Sequence, residues 1–156
     1  MPYRVTLMNL RAATPADAPV LADAWHAMLG ETGLLLAEVD PHWREWTIED
    51  FRAGIGIGAQ AWLLVEDEGA MVACGAAFFR AGRASCALTG MSAMIAGIYT
   101  LPSYRHRGFA RTITERLLEI CRTRGCKTVR LRASAAGRPL YESLGFVSGD
   151  EMVCIL

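Results

Sequence analysis

A hydrophobic run long enough to cross a membrane is the first thing missing. None in the 156 residues approaches the ~20 apolar residues a bilayer needs. The opening stretch, MPYRVTLMNLRAATPADAP, has no apolar core of the signal-peptide kind. Paired cysteine is missing too. Cys74, Cys86, Cys121, Cys126 and Cys154 are odd in number and hold no C-x-x-C. They read as reduced, mostly buried thiols of a cytoplasmic protein. Their spacings do not suit zinc, so no metal is expected. Repeats and low-complexity linkers are absent as well. With 53% apolar composition, residues 1–156 read as a single domain with a sizeable core.

Net charge is zero, but it is unevenly spread. Residues 1–103 carry 6 basic and 11 acidic side chains, residues 104–138 carry 10 and 2, and residues 139–156 carry none and 3. A basic block alone usually marks a solvated face. This one coincides with a glycine and a helix start, in YRHRGFARTITERLL (104–118). Arginine at that end of a helix is unfavourable unless something negative sits there.

The chain alternates strand and helix signals. Met8–Thr14 reads as a strand, and Thr14-Pro15 starts a helix bearing Leu21, Trp25 and Met28. Thr47 and Asp50 resemble a capping box for a short second helix. Ala61–Asp67 and Ala70–Arg80 flank Glu68-Gly69 as an antiparallel hairpin. Ser92–Leu101 reads as a strand stopped by Pro102, Ala110–Arg124 as an amphipathic helix stopped by Gly125. Lys127–Ser134 is a strand, the 137–146 segment holds a short helix, and the final MVCIL is a strand. The class is α/β.

GIGIG (54–58) fails as a dinucleotide fingerprint. It follows a helix and precedes a strand, the reverse of what is needed, so a flexible loop is expected. His26 and His42 read as structural or surface residues, with a pocket role open for His42. The order strand, proline, R-x-x-G-x-A, helix is more telling. Gly108 lets backbone approach a ligand, and the free N–H groups after it form an anion cradle suited to pyrophosphate.

The stretch 98–146 resembles the core of the GNAT superfamily of N-acetyltransferases. IYTLPSYRHRGFA is similar to that family's strand and acetyl-coenzyme A pyrophosphate loop, with Arg105, Gly108 and Ala110 on its R/Q-x-x-G-x-G/A positions. RPLYESLGF resembles its later segment, with Tyr141, Gly145 and Phe146 in place. The resemblance implies a mixed central sheet flanked by helices, with two parallel, splayed strands. It implies acetyl-coenzyme A held by Ile98, Tyr99, Thr100, Arg105, His106, Arg107, Gly108, Phe109, Ala110 and Arg111, with Tyr141 the acid for the leaving thiolate. The strand ending at Thr100 and that from Lys127 would be parallel neighbours joined by the 110–124 helix. Gly97 would mark a bulge or a close approach.

Acetyl transfer to an amine also needs an oxyanion site and a neutral nucleophile. N–H groups near Ile98 and Tyr99 are candidates for the first. A lysine-like amine of pKa about 10.4 is neutral only about once in 2,500 at neutral pH, worth ~4.6 kcal/mol. MSAMIAGIYT offers no acid as base, leaving Glu31, Glu38, Asp40, His42 or water. The expected partner is a small-molecule or peptide amine, with no membrane or nucleic acid; a homodimer is left open. Two further readings stand beside this one: an inactive acetyl-coenzyme A-binding sensor or partner module, and a nucleic-acid module using the 105–138 arginines.

Overall fold

The computed structural model describes residues 8–33, 39–82 and 90–149. Its elements are β1 (Asn9–Ala12), α1 (Ala18–Glu31), α2 (Trp43–Gly56), β2 (Gln60–Asp67), β3 (Ala70–Gly82), β4 (Gly90–Thr100), α3 (Phe109–Thr123), β5 (Cys126–Leu131) and α4 (Arg138–Ser143). The strands form one sheet in the order β1-β2-β3-β4-β5. Neighbours are antiparallel except β4 and β5, which are parallel and joined through α3. The expected mixed sheet and its parallel pair are both present.

Alternation along β2 sorts side chains onto two faces. Trp62 and Leu64 join α1 and α2, whereas Leu63 and Val65 join α3. On α3, Ile113, Leu117 and Cys121 recur every four residues and are buried. Full burial of a side chain such as Leu117 contributes about 1.5–3 kcal/mol. On the other face Trp25, Phe51, Trp62 and Phe78 pack edge-to-face or tilted, with Phe51 and Trp62 centroids 4.6 Å apart.

Two local expectations are corrected. The second helix begins at Trp43, not Thr47. Asp40 accepts from the His42 N–H at 2.7 Å and so supplies the start, while Thr47 lies inside the helix and donates to the Trp43 carbonyl. GIGIG is a loop only in its last two residues, because Gly54–Gly56 form the last turn of α2 and Ile57-Gly58 a turn after it. A Cβ on Gly54 would run into the Gln60 side chain. That glycine serves close packing of Gln60, whose amide oxygen accepts from the Trp62 indole.

Other boundaries shift slightly. A single 3-10 turn, Pro15–Asp17, precedes α1. β5 stops at Leu131, three residues short of the sequence reading. Glu68 and Gly69, both at positive φ, make the two-residue turn of the β2–β3 hairpin. Cys74 and Cys121 are buried thiols and Cys126 is half-buried; burial pushes Cys74 up to about 12, so it stays protonated. MVCIL, Cys86, Cys154 and Glu38 lie outside the described residues.

Candidate active site

β4 changes character at Gly97. Pairing with β3 runs Ala76↔Ala96, then Cys74↔Tyr99. Gly97 and Ile98 together oppose Gly75 alone, which is a β-bulge. Gly97 sits at φ +68°, and a Cβ there would meet Trp62 at 2.9 Å and Trp25 at 3.1 Å. Bulge and close approach are thus both present. The bulge also switches parity: Ile95 and Ile98 both pack toward α3, and Tyr99 turns to the α1/α2 face.

Pairing with β5 ends at Ile95↔Leu131. From Ala96 to Thr100, the edge of β4 away from β3 has no strand partner among the described residues. The Leu101 N–H donates to Val72 across the β3 side. Strand alternation then turns the N–H groups of Thr100 and Ile98 to the open edge and that of Tyr99 toward β3. Of the two oxyanion candidates, Ile98 is the one facing the gap.

The chain leaves β4 through a 3-10 turn at Pro102–Tyr104 and reaches Gly108 at φ +85°. His106 also has positive φ, +60°. Such a turn gathers N–H groups into a concave anion site. Among the described residues, no N–H from His106 to Arg111 finds an acceptor; the first that does is Thr112, to the Gly108 carbonyl at 3.0 Å. Open space faces Gly108. Phe109 is half-buried against the α3 cluster, and Ala110 sits at the second helical position. Unsatisfied N–H groups at an exposed helix start suit phosphate oxygens.

The arginines of this segment divide by partner. Arg105 Nε donates to the Thr100 carbonyl at 3.0 Å, and its Nη2 contacts both oxygens of Glu31 at 2.8 and 2.6 Å. It clamps the end of β4 to the end of α1 and is not free charge. Arg107 lies over the Tyr104 ring at 4.9 Å, and Arg111 reaches Ser143 Oγ at 2.7 Å. His106 is exposed and makes no side-chain hydrogen bond to a described residue. Tyr104 was not singled out in the sequence. Its hydroxyl donates to Asp67 at 2.8 Å, pinning the turn to the β2–β3 hairpin. A tyrosine between the stopping proline and R-x-x-G was the available signal.

The Arg111–Ser143 bond docks α4 beside the start of α3. Tyr141 stands on α4, half-buried, edge-to-face with Phe146 at 6.0 Å, lining a hollow with Val129 and Leu131. Burial holds its phenol above the ordinary tyrosine value, so it is protonated at neutral pH. Its hydroxyl has no partner among the described residues. The base candidates fare differently: Glu31 is engaged by Arg105, Asp40 caps α2, and His42 is exposed near Glu45. His26 stacks on Trp43 at 4.1 Å. Among the described residues no three His, Cys, Asp or Glu side chains gather as metal ligands, and no helix is long and apolar enough to cross a membrane.

Several solved structures share this architecture. The predicted acetyltransferase with acetyl-CoA from Clostridium acetobutylicum superposes with a TM-score of 0.86 at 24% identity, over 96% of each chain. A GCN5-related N-acetyltransferase from Ralstonia eutropha JMP134 gives 0.78 at 23%, over 96% of this chain and 98% of that one. Glucosamine-6-phosphate N-acetyltransferase from Arabidopsis thaliana gives 0.71 at 16%, over 96% and 97%. At these identities the likeness is one of fold. No curated protein matches the chain in sequence. The acetyltransferase (GNAT) family model matches residues 24–146. That span runs from α1 through the bulged strand, the loop, α3 and α4, and the chain belongs to the GNAT family of acetyltransferases.

Proposed function

We propose that the protein is an N-acetyltransferase that moves an acetyl group from acetyl-coenzyme A directly to an amine of a small molecule or peptide. The observation that carries this reading is the half-open strand: from Ala96 to Thr100 β4 keeps β3 but has no partner on its other edge among the described residues, and it leads into N–H groups without acceptors. The family supplies the acetyl chemistry, and the similar structures include an acetyltransferase with acetyl-CoA and one named for an amino-sugar phosphate. On the same reading, residues 1–156 form one cytoplasmic catalytic domain.

The bound thioester supplies an electrophilic carbonyl, whose carbon–sulfur bond breaks as the amine nitrogen bonds to the acetyl carbon. The chain's residues supply the rest. The N–H groups from His106 to Arg111 take phosphate oxygens, with Arg107 adding charge nearby. The open edge of β4 at Ile98 and Thr100 pairs with the amide-bearing arm, as an added strand would. Ile98 N–H faces the developing oxyanion. Tyr141 gives its proton to the leaving thiolate and regains one from solvent. The proton of the amine goes to water, since Glu31, the carboxylate tied to the end of β4, is engaged by Arg105.

A nucleic-acid module would need stacking aromatics among its arginines, and Phe109 is committed to packing instead. Turnover across an amine panel, read by thiol release, tests the proposal. Release that depends on an amine supports it. Tight acetyl-coenzyme A binding with no amine-dependent release across the panel would point to the sensor reading instead.

A further inference from the structure

α1 and α2 cover only part of their face of the sheet. Past Trp25, the strands β3, β4 and β5 present an open groove. Phe78, Met94 and Arg130 stand in one registered row across the three strands. Arg80 and Ser92 form the next row outward, and Ala76 and Ala96 the next row inward. Met94 is 43% exposed, unusual for a large apolar side chain at the middle of a strand with partners on both edges. The groove has a volume of about 430 Å³, within the ~300–1,000 Å³ of small-molecule sites.

Its walls are apolar and its charges are of one sign. Trp25, Phe78, Met94 and Ala96 line it, together with Arg80 and Arg130. No described lining residue is Asp, Glu or His. Neither arginine has a hydrogen bond or an ion pair with a described residue. Arg11, Arg44, Arg105 and Arg116, by contrast, each hold a carboxylate at 2.6–2.9 Å. The inner end of the groove is Ala96, the residue before the bulge, and Trp25 flanks both the groove and Gly97. Its inner end therefore lies next to the stretch of β4 where the acetyl group would be transferred, bordered by Trp25.

We propose that this groove is the acceptor subsite, and that it takes a small primary amine with an aromatic or apolar body and a carboxylate at its far end, held by Arg130. The proposal rests on the acetyl-transfer reading. A simple cationic amine would meet two arginines that no described residue neutralises and be repelled. A carboxylate turns the same charges into a bidentate anchor. The row of Arg130 lies two residues, ~7 Å, from that of Ala96 along β4. Amine and carboxylate should thus sit at opposite ends of the acceptor, not on one carbon.

4-(Aminomethyl)benzoate and its uncharged methyl ester test this on the full chain. Thiol release should give the acid a kcat/KM at least about tenfold above the ester, a difference of ~1.4 kcal/mol. Arg130→Gln should erase that preference and Arg130→Lys should keep part of it. Arg80→Gln, one row farther out, should change it less. Calorimetry on coenzyme A-loaded protein reads the same ranking without turnover. Acid bound in preference but never acetylated would leave the subsite standing and sink the transfer reading. Equal use of acid and ester, a loss in Arg130→Gln shared by both, or no binding of either would overturn the subsite. A variant that fails to fold is recognised by circular dichroism, and the acid-to-ester ratio of the unaltered protein then decides.

Discussion

The two halves of β4 differ in how many of their edges are paired. From Met91 to Ile95 the strand has a partner on each edge. From Ala96 to Thr100 it keeps β3 and loses β5. Composition does not separate them, since GMSAMI and AGIYT are both small and apolar. What separates them is Gly97, which bulges the strand, and Leu131, where β5 ends. The closed half spends its backbone groups on the sheet. The open half keeps N–H and C=O groups that need water or a ligand. The same strand thus serves as scaffold in one half and as site in the other.

The sharpest way to break this contrast is at the bulge. Gly97→Val places a branched side chain at positive φ, into the rings of Trp25 and Trp62. Strain and overpacking together should cost about 3 kcal/mol or more. Ser92→Val, in the closed half, should stay within about 0.5 kcal/mol, because a β-branched residue suits a paired strand. Urea midpoints at constant slope compare the two. Equal losses would mean that the bulge is not a special point of β4.

Tyr141, on α4 beside the hollow at Val129 and Leu131, offers the next test. Tyr141→Phe keeps the ring against Phe146 and removes only the donor. Turnover should fall ~10²-fold, at the low end for a general acid because a thiolate is already a fair leaving group. Coenzyme A affinity should change less than about threefold, since the hydroxyl acts only as the bond breaks. Burial raises the phenol above its ordinary value, so its donor form persists at least up to about pH 10. A turnover loss tracking Tyr141 below that pH, or full turnover in the variant with chemistry rate-limiting, would make it a packing residue.

Gly108→Asp probes where the open half ends. Nothing lies within 4 Å of a Cβ there, so no clash is introduced. The φ of +85° costs an aspartate ~1–2 kcal/mol, and its carboxylate would face the phosphates. Affinity for acetyl-coenzyme A should drop by more than about tenfold, ~1.4 kcal/mol. Calorimetry showing unchanged affinity in a folded variant would remove the cradle assignment.

What could be read from the sequence was local. Gly108 before an amphipathic helix, Gly97 inside an apolar strand and Glu68-Gly69 between two strand patterns each carry their signal within a few residues. The start of α2 was misplaced because Thr47 and Asp50 imitate a cap, while the working signal, Asp40 before Pro41, stood further upstream. What was not legible is long-range. Arg105 and Glu31 are 74 positions apart, and no periodicity announces their pairing. The same holds for Phe78, Met94 and Arg130, which become one row only through the register of three strands. In the sequence Arg105 reads as charge for a ligand, and the fold adds Glu31 as its partner.

That pairing yields the smallest predicted effect and the most discriminating one. Both partners are well exposed, at 38% and 46%, so the pair is worth about 0–1 kcal/mol to stability. Glu31→Gln should therefore shift the unfolding midpoint little. Arg105 would keep its bond to the Thr100 carbonyl and so stay near the loop. Its charge, no longer neutralised, would then act on the phosphates. Affinity for coenzyme A should rise about two- to fivefold at low salt, as expected for one added charge at partly screened distance. The gain should vanish near 1 M salt, where the Debye length falls to about 3 Å. A fall in affinity would show that Glu31 positions Arg105 and does not merely neutralise it, and the clamp would then belong to the open half of β4 as much as to the scaffold.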